Sequence, residues 1–232
     1  ALIHAIKNNN LKIVKLLLES NAKANIKDEN GNTGLIHAIR NDCIEIVKLL
    51  IATPIHAETE IRIALEEAVY KGNIEEVKLI TKFEIEIYYV IKNINLSISL
   101  GHKDVAKFLL KINSNLSMED KEMMLMNAAE YGNIDIIKIL LIDCDIDLNR
   151  SDRTGYTVLI HACENGYLEI VNFLIEKGVD INIFSKSKGI YGSSKNALLS
   201  ACMKGHVEIV KSLISAGADI KLQDKNGKDA LL

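Results

Sequence analysis

Gly155-Tyr156-Thr157-Val158-Leu159-Ile160-His161-Ala162-Cys163 leads to Gly166, to Glu169-Ile170-Val171, to Leu174-Ile175 and to Gly178-Val179-Asp180-Ile181-Asn182. A small residue, Ala162, sits inside a short apolar run, and a glycine follows four residues later. An amphipathic run and a second glycine come next, the layout of two short helices joined by a tight turn. Outward from this stretch the same pieces recur. Leu2-Ile3-His4-Ala5 and Leu35-Ile36-His37-Ala38 repeat Leu159-Ile160-His161-Ala162, and each precedes an amphipathic run, Leu11-Lys12-Ile13-Val14-Lys15 or Ile44-Glu45-Ile46-Val47-Lys48.

With the small residue as anchor, Ala5, Ala38, Ala68, Ser97, Ala128, Ala162 and Ala201 mark seven units, at spacings of 33, 30, 29, 31, 34 and 39 by subtraction of neighbouring numbers. A period near 33 indicates one supersecondary unit repeated along the chain. Four residues after most anchors stand Gly72, Gly101, Gly132, Gly166 and Gly205, where a tight turn needs positive φ. Asn9 and Asp42 take that place in the first two units, and both tolerate the geometry. The expected units are 1–28, 29–57, 58–86, 87–116, 117–150, 151–183 and 184–222, with a partial eighth over 223–232, all in a single domain over 1–232.

This pattern resembles the ankyrin-repeat family along essentially the whole chain, strongly at both ends and weakly in the middle. The resemblance implies an all-α solenoid of stacked helix-turn-helix units with β-hairpin-type fingers. The family's Thr-Pro-Leu-His is replaced by Thr33-Gly34-Leu35-Ile36 and Thr157-Val158-Leu159-Ile160, so the proline and histidine that steady that turn are missing. The central units, three to five, are degenerate: they lack the Gly-x-Thr entry and carry Ile61 and Ile63, Val90 and Lys92, and Lys121 and Met123 there. Their fingers are expected to be shortened or replaced by a longer first helix. Ser117 and Asp120 form a capping pattern that suits such a start.

Helices of about ten residues are too short to be stable alone. Stability must come from stacking apolar faces such as Leu35, Ile46, Val47 and Leu50 against neighbouring units. The composition is 48% hydrophobic and 25% charged, that of an ordered globular chain. Its net charge of −3, from 28 basic and 31 acidic residues spread evenly, carries no footprint for a phosphate backbone, and no nucleic-acid partner is expected. No apolar run approaches the ~20 residues of a membrane span. Cys43, Cys144, Cys163 and Cys202 are far apart and form no C-x-x-C, which fits free thiols in a cytoplasmic, reducing setting. Ala1 enters within a unit and Gly227-Lys228-Asp229-Ala230-Leu231-Leu232 opens another, so the chain reads as an excerpt from a longer, monomeric array.

No catalytic residue, cofactor or metal set is expected. His4, His37 and His161 hold equivalent places in units stacked ~8–10 Å apart, too far for zinc ligands at ~2 Å. No charge partner for them is evident, and they read as polar groove residues. Cys163 and Cys202 follow the anchor and read as small core side chains. Met118, Met123, Met124 and Met126 read as gap-filling rather than as a binding patch. The run from Gly189 to Lys195 lacks phosphate-loop spacing. Asn25, Asn149 and Asn182 follow a turn; the resemblance implies that such asparagines can be hydroxylated, and a bridging structural role is the favoured reading.

The resemblance also implies a groove lined by the first helices and finger tips. Positions one before and two and three after each anchor share a helical face. They are His4, Lys7 and Asn8; His37, Arg40 and Asn41; Glu67, Tyr70 and Lys71; Leu96, Ser99 and Leu100; Asn127, Glu130 and Tyr131; His161, Glu164 and Asn165; Ser200, Met203 and Lys204. The finger candidates are Asn30, Asn32, Arg153, Tyr156 and, in the long insertion between Ser185 and Lys195, Tyr191. That insertion reads either as a contact element or as a neutral change at an exposed tip. Tyr70, Leu96, Leu100 and Tyr131 form an apolar centre with a polar surround, as interface hot spots do; a register shift of one would instead put Leu96 and Leu100 in the core. The expected function is a protein-protein interaction module. The alternative is a targeting or regulatory segment of a larger enzyme, channel, toxin or ubiquitin-ligase adaptor.

Overall fold

A computed structural model describes residues 1–53, 57–113, 116–142, 146–185 and 195–223. The chain divides into two compact bodies, Ala1–Ile112 and Asn113–Leu232. In the first, α1 (Leu2–Lys7), α3 (Gly34–Arg40), α5 (Glu58–Lys71) and α7 (Ile87–Ser99) pack in series, and α2 (Leu11–Glu19), α4 (Ile44–Ile51), α6 (Ile74–Ile80) and α8 (Lys103–Ile112) form a second row. In the second, α9 (Met118–Glu130) packs on α11 (Val158–Asn165) and α11 on α13 (Ala197–Lys204). Beside them lie α10 (Ile134–Leu140), α12 (Leu168–Glu176) and α14 (Val207–Ser215), with α12 on α14. The all-α repeat architecture is the expected one.

Within each body the anchors explain the close approach of successive first helices. Ala38, Ala68, Ser97, Ala128, Ala162 and Ala201 are all 0% exposed, so a larger side chain there would push two helices apart. Around them Leu35, Val47, Leu50, Leu159, Val171 and Leu174 are buried, each contributing about 1.5–3 kcal/mol relative to exposure. All seven inter-helix turns adopt the left-handed conformation, with φ from 49° at Asn9 and 55° at Asp42 to 81° at Gly166.

Bridged fingers form where the sequence carries Gly31-Asn32-Thr33 and Gly155-Tyr156-Thr157. Among the described residues the two antiparallel bridges are Lys27–Thr33 and Ser151–Thr157. In units three to five the chain enters helix early instead: α5, α7 and α9 have 14, 13 and 13 residues, against 6, 7 and 8 for α1, α3 and α11. The start of α9 is fixed by the expected capping box. Ser117 Oγ accepts the Asp120 amide at 3.1 Å, and Asp120 Oδ2 accepts the Ser117 amide at 3.3 Å.

The seventh unit keeps the base of a finger. Asp28 and Asp152 donate their amides to the carbonyls of Asn32 and Tyr156, each at 2.9 Å, and Ser185 does the same to Lys195 at 2.7 Å. Ser185 Oγ also accepts the Lys195 amide at 2.8 Å. The insertion is therefore enclosed between two paired residues; Tyr191, within it, lies outside the described residues. In unit four Ser97 and Ile98 are buried at 0% and 1% while Leu100 is 39% exposed, so the helix keeps its expected register and Leu100 faces outward.

Candidate functional site

The two fingers are built by one device. The Asp152 carboxylate accepts the amides of Thr154 at 2.7 Å and Tyr156 at 3.0 Å, closing the turn, and its Oδ2 meets His161 Nε2 at 2.8 Å. Asp28 accepts the amides of Asn30 and Asn32 at 3.0 and 2.9 Å and meets His37 Nε2 at 2.7 Å. Hydrogen bonding to His37, with the Asn32 amide next, holds the Asp28 carboxyl well below the usual carboxylate range. Burial pushes Asp152 upward, but its bonds to Thr154, His161 and Tyr156 outweigh that and lower it. This corrects the expectation that the histidines have no charge partner: an aspartate lies nine residues before His37 and before His161, a spacing whose recurrence in both fingered units was the overlooked signal.

Several expected groove residues serve the stack itself. Lys71 Nζ donates to the carbonyls of Ile39 and Arg40 at 2.9 and 3.0 Å and pairs with Asp42, capping α3 from the following unit. Arg40 forks onto Glu67, with Nε–Oε1 at 2.9 Å, and reaches Asn32 at 3.2 Å. Glu164 receives Lys195 at 3.0 Å, and Asn165 Nδ2 donates to the His161 carbonyl at 3.0 Å. Ser200 is a correction: it stands where His37 and His161 stand, but at 1% exposure it is part of the core. Its hydroxyl has no hydrogen-bond partner among the described residues, in contrast to the aspartate-paired rings of His37 and His161.

The side chains left outward are Tyr70, Tyr131, Met203 and Leu100, at 64%, 46%, 66% and 39% exposure, together with exposed Asn30, Asn41, Arg153 and Lys204. Leu96, Asn127, Glu130 and Tyr156 are half-buried, the last with its ring 5.4 Å from that of His161.

In the second body a cleft of about 600 Å³ opens between α9 and the finger. Five carboxylates, Glu119, Asp120, Glu122, Glu130 and Asp152, line it with two guanidiniums, Arg150 and Arg153. An Arg150–Glu122 ion pair links finger to helix. The methionines divide here, against the single gap-filling role expected of them: Met124 and Met126 are buried, whereas Met118 and Met123 are 45% and 46% exposed, Met123 in the cleft wall.

Asn149 and Asn182 bridge successive turns. Asn149 Oδ1 accepts the Asp180 amide at 2.8 Å and Asn182 Oδ1 accepts the Asp219 amide at 3.0 Å, the bridging role favoured from sequence. Cys163 is buried, and burial pushes its thiol far up, away from a reactive thiolate. Among the described residues no helix is long and apolar enough to cross a membrane.

Models of ankyrin repeats in three copies match residues 1–91 and 94–185, and a model of ankyrin repeats in many copies matches 198–232. The chain belongs to the ankyrin-repeat family. It is 33% identical over 107 residues to an ankyrin repeat protein of Acanthamoeba polyphaga mimivirus, covering 46% of this chain and 15% of that protein. It is 31% identical over 88 residues to a mouse serine/threonine-protein kinase, covering 36% and 11%. It is also 29% identical over 139 residues to an ankyrin repeat and KH domain-containing protein of Caenorhabditis elegans, covering 56% and 5%. The chain thus matches between 5% and 15% of the length of these relatives. Ankyrin repeats are general protein-interaction modules.

Proposed function

We propose that the array binds a protein partner along its first-helix faces and fingers, and that the cleft between α9 and the finger at 150–156 is a principal contact. The observation that carries this reading is the division of labour at the cleft. Its walls are set by the Asp152–His161 brace and the Arg150–Glu122 pair, while Met123 in the wall and Tyr131, which follows the lining residue Glu130, stay exposed at 46% each, with no part in that scaffold. Rigid walls with exposed apolar and aromatic side chains lower the ordering cost of association.

A photo-crosslinking residue at position 123 or 131, compared with one at Ile214 on the far helix row, tests the placement in cells. Adducts from the first two alone support it; equal labelling from Ile214 overturns it. Recovery of partners should likewise fall when Tyr70, Tyr131 and Arg40 are replaced together by alanine. We read the array as non-catalytic, since His37 and His161 brace fingers and the Cys163 thiol is suppressed.

A second reading, that the array targets or regulates a larger polypeptide, draws on the kinase and KH-domain relatives, in which the matched repeats are a small share of the protein. The full-length gene decides it: an adjoining domain supports the reading and a chain of repeats alone removes it.

A further inference from the structure

Eight residues after the anchor, the second helix of units two, four, five, six and seven turns an aliphatic side chain inward: Ile46, Val105, Ile136, Ile170 and Ile209, none more than 2% exposed, whereas Ile13 of the first unit, with no unit before it among the described residues to cover it, is 46% exposed. In unit three this register position holds Glu76, at 0% exposure. Neither of its carboxyl oxygens has a hydrogen-bond partner among the described residues. A carboxylate in such a place has lost its hydration without compensation, and taking up a proton is the least costly relief.

We propose that Glu76 is a proton-operated latch on the seam that α6 makes with α4, α5 and α8. With the carboxyl neutral, α6 packs as a core helix like its counterparts. With the carboxyl ionised, the seam is weakened, and α6 with the helices flanking it opens before the rest of the first body.

The surrounding charges do not rescue the ionised form. From the end of α5, Lys71 favours it, but that ammonium is already engaged by the Ile39 and Arg40 carbonyls and by Asp42. From the α3–α4 turn, Asp42 opposes it with a like charge. The Cys43 thiol at the start of α4 is itself pushed up, by burial first and by Asp42 and Glu76 after it. At the start of α8, His102 turns its Nε2 to the Tyr70 carbonyl at 3.0 Å. On α6, Glu75 pairs outward with Lys78 at 2.7 Å. Burial prevails, and the Glu76 carboxyl is pushed up from 4.5 to about 7.

Because the folded-state value is raised, the contribution of a neutral Glu76 to the first body is fully present below the unfolded value, declines as pH climbs from 4.5 to about 7, and declines no further above that. The interval corresponds to roughly 300-fold in the folding equilibrium.

The test uses the whole chain as wild type, Glu76→Gln and Glu76→Ile, with hydrogen exchange compared between variants at the same pH so that intrinsic exchange cancels. Expected is faster exchange over residues 74–112 in wild type than in Glu76→Gln, the ratio growing by about two orders of magnitude between pH 5 and pH 8. Glu76→Ile should be the most protected at pH 8. A wild-type to Glu76→Gln ratio that does not change with pH overturns the latch. So does a Glu76 carboxyl carbon resonance that titrates near the ordinary glutamate value.

Discussion

His161 Nε2 lies 2.8 Å from Asp152 Oδ2, and His37 Nε2 lies 2.7 Å from Asp28 Oδ2, so the same imidazole–carboxylate pair props the finger of the second and of the sixth unit. The aspartate closes the turn with its amide acceptances and the histidine ties that turn down to the first helix.

Replacing Asp152 with alanine removes both functions at once. Charge-assisted bonds of this kind contribute ~1.5–3 kcal/mol, and partial exposure reduces that here to a loss of about 1–2 kcal/mol. Asp152→Asn keeps an acceptor for the two amides and should lose less. Urea denaturation of the three proteins checks the order; equal midpoints would remove the brace from the account.

The two finger threonines are buried alike but differ in use. Thr157 Oγ1 accepts the Ile160 amide at 3.3 Å, whereas the Thr33 hydroxyl has no partner among the described residues. Thr157→Val should therefore cost about 1 kcal/mol, the usual worth of an N-cap. Thr33→Val should be neutral or stabilising, since it removes an unsatisfied buried hydroxyl. Thermal melts of both variants decide this.

A similar contrast separates two turn glycines. Gly166 and Gly205 have φ of 81° and 74°. Alanine at either is strained by roughly 1–2 kcal/mol, the cost of a left-handed backbone for a residue with a Cβ. A Cβ on Gly166 would also meet the His206 ring at 2.7 Å, while one on Gly205 meets nothing within 4 Å among the described residues. That ring spans from one unit to the next, its Nε2 3.3 Å from the Glu164 carbonyl. Gly166→Ala should be the more damaging variant in a thermal melt, and His206→Ala should narrow the gap between the two.

The two bodies should respond differently to pH. Asp28 and Asp152 are held below their ordinary values, so their contribution is present above the unfolded value of ~3.9 and declines as pH falls below it. Both bodies weaken in acid for that reason. Only the first carries Glu76, so only the first should also weaken between pH 4.5 and about 7. Exchange protection followed separately for residues 1–112 and 116–223 gives the two profiles.

Much of this was legible in the sequence because a repeat reports its constraints several times over. The seven anchors and the seven positive-φ turns could be numbered from Ala162 and Gly166 outward, and the absent Gly-x-Thr entries foretold the long α5, α7 and α9. What escaped notice depended on contacts between units. Lys71 reads as an exposed helix residue until α3 is seen to end against it. Ser200 inherits the register of His37 but loses its exposure with the shorter side chain. In Ile74-Glu75-Glu76-Val77 the two glutamates look like one solvated face, and only alignment with Ile46 and Ile170 shows that the second of them points inward.

The pairing of Ser185 with Lys195 has a consequence for how this chain can change. Those two residues are hydrogen-bonded to each other, and Asn196 independently starts α13 by accepting the Leu199 amide at 2.8 Å. Whatever lies between them is relieved of any duty to set the phase of the next helix. Lengthening or shortening the sequence between Ser185 and Lys195 should therefore leave the melting temperature nearly unchanged, the scaffold on either side holding its pitch.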